Sequence, residues 1–203
     1  MFLGFVFAVS IVPQASLAAD KEEAFAYLEI QPPQQTSTGN KIEVVEMFWY
    51  GCPHCYRFEP HIKAWEKQLP EDVEFVRMPA VFNAKWAFHA RVFYTAEVLG
   101  VLDKVHGPIF DAIHKQRKRL DDLDEVTDFL AAHGVDKDEF TSTFQSFAVN
   151  SKVSWAQRQT RAYGIDGVPA LVVQGKYRTS ASMAGGHEQA LDVVDALIAK
   201  ERK

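Results

Sequence analysis

Residues 42–55 read IEVVEMFWYGCPHC. The first eight split into two alternating sets, Ile42, Val44, Glu46, Phe48 and Glu43, Val45, Met47, Trp49. Both sets are largely apolar, which predicts a central strand covered on both faces. Gly51 ends it. Pro53 then suits the first position of a helix, where its missing N–H costs nothing. Cys52 and Cys55 therefore sit at a strand-to-helix junction. The helix is expected to reach about Leu69, with Phe58, Ile62, Trp65 and Leu69 on one stripe. Pro60 should kink it, because its ring clashes with the carbonyl one turn back.

Outward from this stretch, Gln31–Asn40 (QPPQQTSTGN) reads as a loop and Val73–Met78 (VEFVRM) as a second strand. From about Ala84 the pattern is helical. Lys85–Leu102 is apolar almost all round, and Pro108–Arg119 ends in a basic run, Lys115 to Arg119, favourable to the helix dipole. Asp121 or Asp122 caps a third helix, with Gly134 just past its end, and Asp136–Glu139 resembles a capping box for a fourth. Ser151–Tyr163 leads back to a strand, Val168–Val173, then a turn at Gln174-Gly175 and a strand over Lys176–Thr179. Gly185-Gly186 is a break before a closing amphipathic helix, His187–Lys200. This order predicts an α/β domain, residues 19–83 and 150–203, interrupted by an all-helical insertion, residues 84–149.

Composition narrows the function. The 203 residues carry 22 Lys and Arg against 27 Asp and Glu, a net charge of −5, so there is no basic excess to neutralise phosphates. The two cysteines are the only ones in the chain, too few and too close for a disulfide scaffold. Phe2–Val12 is uncharged but too short to span a bilayer. Pro13 breaks that run, and Ser16-Leu-Ala18 offers a small-residue cleavage site, so residues 1–18 are read as a signal peptide. A bilayer-free, exported protein is expected, which in a Gram-negative cell means the periplasm. A buried N-terminal helix or strand is the alternative reading of that segment.

The N-terminus of a helix presents unpaired N–H groups and a partial positive charge, which stabilise a thiolate. A protonated His54 adds to this, and Cys52 lies nearest the helix start, so its pKa is expected to fall. Cys55, one turn in, is the natural resolving thiol and the more buried of the two. A dithiol favoured in this way makes an easily reduced disulfide, hence an oxidant. Two other readings stand at this point: a zinc site recruiting His54 and His61, and a buried structural pair. Glu46, the lone acid on its strand face, either exchanges a proton with Cys55 or forms an ion pair with Arg77, and the two are compatible. Proline at a strand start is allowed, and a cis bond at Val168-Pro169 would aim the backbone of Val168 outward for an extended peptide.

Glu46-Met-Phe-Trp-Tyr-Gly-Cys-Pro-His-Cys55, followed by Gly167-Val-Pro-Ala170 and Gly175-Lys-Tyr177, resembles the DsbA family of thiol:disulfide oxidoreductases, in the thioredoxin superfamily. The resemblance covers nearly the whole chain after residue 18. It implies a thioredoxin fold with a helical insertion, with Cys52 as nucleophile, Cys55 as resolving thiol, His54 as the residue that sets the potential and Pro53 beside it in the site. It further implies Glu46 as a buried acid and Val168-cis-Pro169 as the substrate-facing loop. The implied substrates are unfolded exported polypeptides, the implied reoxidant a quinone-linked membrane protein like DsbB, and the implied redox group the cysteine pair itself, without a cofactor. A monomer is expected. Arg77 stands where a lysine partner for the buried acid would be expected, and the second, structural cysteine pair of some relatives is missing. The rivals are a reductase or isomerase of the same fold and a polypeptide-binding holdase with an inactive motif.

Overall fold

In the computed structural model, which describes residues 26–203, the 42–48 stretch is a strand buried at every position. The elements in chain order are β1 (Leu28–Glu29), β2 (Ile42–Phe48), α1 (Pro53–Glu66), β3 (Val73–Pro79), α2 (Ala84–Val98), α3 (Leu102–His114), α4 (Leu123–Ala131) and α5 (Lys137–Phe144). They continue with α6 (Phe147–Ala162), β4 (Ala170–Val173), β5 (Tyr177–Thr179), α7 (Ala181–Ala184) and α8 (His187–Glu201). The strands form one sheet in the order β1-β5-β4-β2-β3. β2 runs parallel to β3 and antiparallel to β4. A parallel pair needs a crossover, and α1 supplies it. The motif at the end of β2 is therefore presented at the middle of the sheet.

The alternation along β2 assigns its faces. Ile42 and Val44 pack with Phe58, Ile62 and Trp65 of α1 and with Leu191, Val194, Leu197 and Ile198 of α8. Val45 and Met47 join the larger core shared with α2 to α6. Phe48, at the end of the strand, lies among Tyr50, Phe93, His106 and Phe110, with ring centroids 5.3–6.0 Å away. Each such fully buried side chain contributes about 1.5–3 kcal/mol relative to exposure. α2 to α6 all fall between β3 and β4, so the fold is a thioredoxin-like α/β sheet with a helical insertion, as the sequence pattern predicts.

Several boundaries differ from expectation. The helix expected at Pro108–Arg119 is displaced: α3 begins at Leu102 and ends at His114, with Pro108 inside it. Gly100, at φ 68°, separates it from α2, which stops at Val98 rather than Leu102. The basic run thus lies past the helix, with Arg117 and Leu120 at φ 57° and 46°. Burying Leu120 requires the chain to leave the helix axis, and the N–H of Lys118 caps the Ala112 carbonyl at 2.9 Å. α1 ends at Glu66 instead of Leu69. α6 starts earlier than expected, at Phe147, because Ser146 caps the Val149 N–H. β4 starts at Ala170, so Val168 and Pro169 precede it. β1, in a segment to which no strand was assigned from sequence, pairs with β5. The expected caps Asp122 and Asp136 are in place, accepting from Glu125 N and Glu139 N at 2.8 Å. The expected signal peptide lies outside the described residues. No helix among the described residues is long and apolar enough to cross a membrane.

Candidate active site

Cys52 is the N-cap of α1, with extended backbone (φ −89°, ψ 116°), and Pro53 occupies the first turn. Its sulfur accepts the Cys55 N–H at 3.4 Å and contacts the Val168 carbonyl at 3.4 Å. Both cysteines are free thiols; Cys52 is 7% exposed and Cys55 0%. A hydrogen bond from the Cys55 thiol does most to lower Cys52, and the N–H groups of Cys55 and His54 and the charge of His54 add to it. Against the opposing effect of burial, they bring it from 9.0 to about 6. Burial, then the Cys52 sulfur, pushes Cys55 far the other way. One helix turn thus separates a stabilised thiolate from a thiol that resists ionisation.

His54 is exposed, and its Nδ1 lies 2.9 Å from Nη2 of Arg57. A guanidinium has no acceptor, so Nδ1 of the imidazole accepts this hydrogen bond. Arg57, one turn along α1 and paired with His54, was not picked out from the sequence. His54 and His61 do not converge with the cysteines on a metal; among the described residues only Asp121, Asp122 and Glu125 cluster as potential ligands, and Arg119 and Lys85 pair with Asp121.

Glu46 is 0% exposed, and neither carboxyl oxygen has a hydrogen-bond partner. It stands in register with Arg77 on β3, whose Nε is 3.8 Å from Glu46 and 3.8 Å from Glu59. The Nη groups of Arg77 go instead to Glu66, at 3.4 and 3.0 Å. The expected ion pair is therefore loose and shared. Burial first, and the Glu59 charge second, raise Glu46 to about 8, with Arg77 opposing. Burial also opposes the ionisation of Glu59. There, however, the hydrogen bond from His106 and the charges of Arg77 and Lys63 prevail and hold it at about 2.

Val168-Pro169 is a cis peptide beside Cys52, as anticipated. A cavity of about 260 Å³ opens next to it, lined by His54, Gly167, Pro169, Arg178, Met183 and His187 among others. On the opposite side, α3 grips the motif: His114 Nε2 bonds the Tyr50 carbonyl at 2.8 Å, and Tyr56 donates to Asp111 at 2.8 Å. The structure thus brings Cys52, Pro53, His54, Val168 and Pro169 together, with Cys55 and Glu46 fully buried behind them. Glu59, Lys63 and Glu66 were missed, although their spacing continues the helix face that carries Cys52 and Cys55. No sequence signal marked His106, whose partner Glu59 lies 47 residues away.

Comparison with known proteins bears on this geometry. Residues 76–197 match the model of the DSBA-like thioredoxin domain. The thiol:disulfide interchange protein DsbA of Pseudomonas aeruginosa is 48% identical over 193 residues, covering 95% of this chain and 92% of that protein. The chain belongs to the DsbA family. DsbA of Azotobacter vinelandii is likewise 48% identical, over 97% of this chain and 92% of its own length. The crystal structure of Pseudomonas aeruginosa DsbA superposes with a TM-score of 0.85 at 49% identity, covering 88% of this chain and 93% of that one. DsbA of Xylella fastidiosa, at 35% identity, gives 0.82 over 87% and 95%. This DsbA-family chain is a thiol:disulfide oxidoreductase. The domain match begins after the cysteines, whereas the 193-residue alignment takes them in.

Proposed function

We propose that this DsbA-family protein is a disulfide donor in the periplasm, exported by residues 1–18. It acts on newly exported, unfolded polypeptides. A substrate thiolate attacks Cys52 of the Cys52–Cys55 disulfide, and the Cys55 sulfur leaves, taking its proton from Glu46. A second substrate thiolate attacks the substrate sulfur of the mixed disulfide and expels Cys52 as a thiolate. Two electrons pass from the substrate to the protein, which ends as the dithiol. A quinone-linked membrane partner of the DsbB type returns it to the disulfide, and no other cofactor is needed. Pro53 and His54 shape the helix start that stabilises Cys52, and the client backbone pairs beside Val168 and Pro169.

One observation carries this direction of transfer: Cys52 is lowered to about 6 while Cys55 is pushed up. A sulfur so stabilised is a good leaving group, and the dithiol it belongs to is the favoured state. Incubating the oxidised protein with reduced, unfolded ribonuclease tests the reading. One disulfide should pass to ribonuclease per protein molecule, and Cys52→Ser should pass none. Retention of the disulfide by the wild-type protein would overturn it in favour of a reductase or a holdase.

A further inference from the structure

Three carboxylates, Glu46, Glu59 and Glu66, surround the one guanidinium of Arg77. Their partners are unequal. Glu66 takes both Nη groups, and Glu59 takes Lys63 at 3.2 Å and His106 Nε2 at 3.1 Å. Glu46 takes none. With Arg77 and Lys63 as the cations, ionising all three acids leaves one uncompensated negative charge in a buried site. The acid without a hydrogen-bond donor is the one to stay protonated.

Which acid that is depends on a residue from the insertion. His106, on α3, is buried, and its Nδ1 faces the Tyr50 hydroxyl at 2.9 Å. An ionised Glu59 only accepts, so Nε2 carries the proton, and the neutral ring takes the Tyr50 O–H at Nδ1. Tyr50 thereby selects the tautomer that serves Glu59. We propose that His106 is a positioning residue of the redox reaction: its Nε2–H fixes Glu59 as an anion, and that anion keeps Glu46 protonated and ready for Cys55. The insertion, on this account, does more than cover the sheet; it sets the protonation order of the acids under the cysteines. The other groups facing Glu46 are Cys52 at the cap of α1, Cys55 and Glu66 from α1, Arg77 from β3, and Tyr50 after β2, while Lys63 reaches the cluster through Glu59. A cavity of about 240 Å³ lined by Lys63, Glu66, Arg77, Asp103 and His106 reaches the cluster.

The inference rests on Glu46 being the proton partner of Cys55, and the experiment separates the two ideas. Carbon-13 resonances of labelled glutamates would be titrated in the dithiol protein, alongside the pH–rate profile of disulfide donation. In the wild type Glu46 should titrate near 8. His106→Leu should lower that midpoint by about one pH unit or more, a tenfold change in the protonated-to-ionised ratio. His106→Gln, which retains a donor for Glu59, should restore most of it; it also serves as the test if the leucine variant does not fold. A Glu46 midpoint unmoved in His106→Leu, or moved equally in both variants, would overturn the role of His106. Glu46→Gln should remove the corresponding inflection from the rate profile. If that inflection persists while His106→Leu still moves the Glu46 midpoint, the reading of Glu46 fails and the action of His106 on it stands.

Discussion

At the scale of the residue, the two cysteines share a helix turn and a chemistry but not an environment. Cys52 receives the N–H of Cys55 at 3.4 Å at a helix start, whereas Cys55 is enclosed. Among the influences that lower Cys52, the hydrogen bonds of Cys55 rank ahead of the His54 charge. His54→Ser should therefore raise the Cys52 midpoint and make the disulfide harder to reduce. Each pKa unit regained corresponds to about 1.4 kcal/mol, or roughly 30 mV for a two-electron couple. Thiolate absorbance against pH and equilibration with glutathione would measure both quantities, and an unchanged potential would contradict the role assigned to His54.

At the scale of the element, the β4–β5 connection has the tightest backbone requirement. Gln174 and Gly175 both have positive φ, 52° and 62°, and the turn closes with Lys176 N–H on the Val173 carbonyl at 3.0 Å. A Cβ on Gly175 would fall 2.2 Å from the backbone oxygen of Gln34. Gly175→Ala must move that segment as well as strain its own φ, so a loss of about 1–3 kcal/mol in chemical denaturation is expected. A change within a few tenths would refute the contact. This turn was legible in the sequence because Gln-Gly between two apolar runs is a local signal. β2 and the start of α1 were legible for the same reason: alternation and a proline are read within a few residues. The register of α3 was not. Its start depends on a left-handed Gly100 and its end on the burial of Leu120, and both are decided by packing rather than pattern. The cysteines, His54, Glu46 and Val168-Pro169 could likewise be picked out locally. His106 and Arg57 required the fold, because neither residue type is distinctive until its partner is beside it.

For the whole molecule, the lowered Cys52 thiol ties stability to redox state and pH. A thiol depressed from 9.0 to about 6 in the folded dithiol protein contributes stability that is complete above pH 9. That contribution is lost as the pH falls through 6. The disulfide form lacks this thiolate, while Glu59 is present in both forms. The dithiol form should therefore melt above the disulfide form by a margin widest near pH 9 and shrinking toward pH 6. Calorimetry of both forms across that range would show it, and a margin independent of pH would contradict the assignment. The grip of α3 has a different consequence. His114 holds the carbonyl of Tyr50 on the chain entering the motif, and Asp111 holds Tyr56 on the helix leaving it. An opening that frees the amides of the cysteine loop must break these holds, so the loop and α3 are expected to open together.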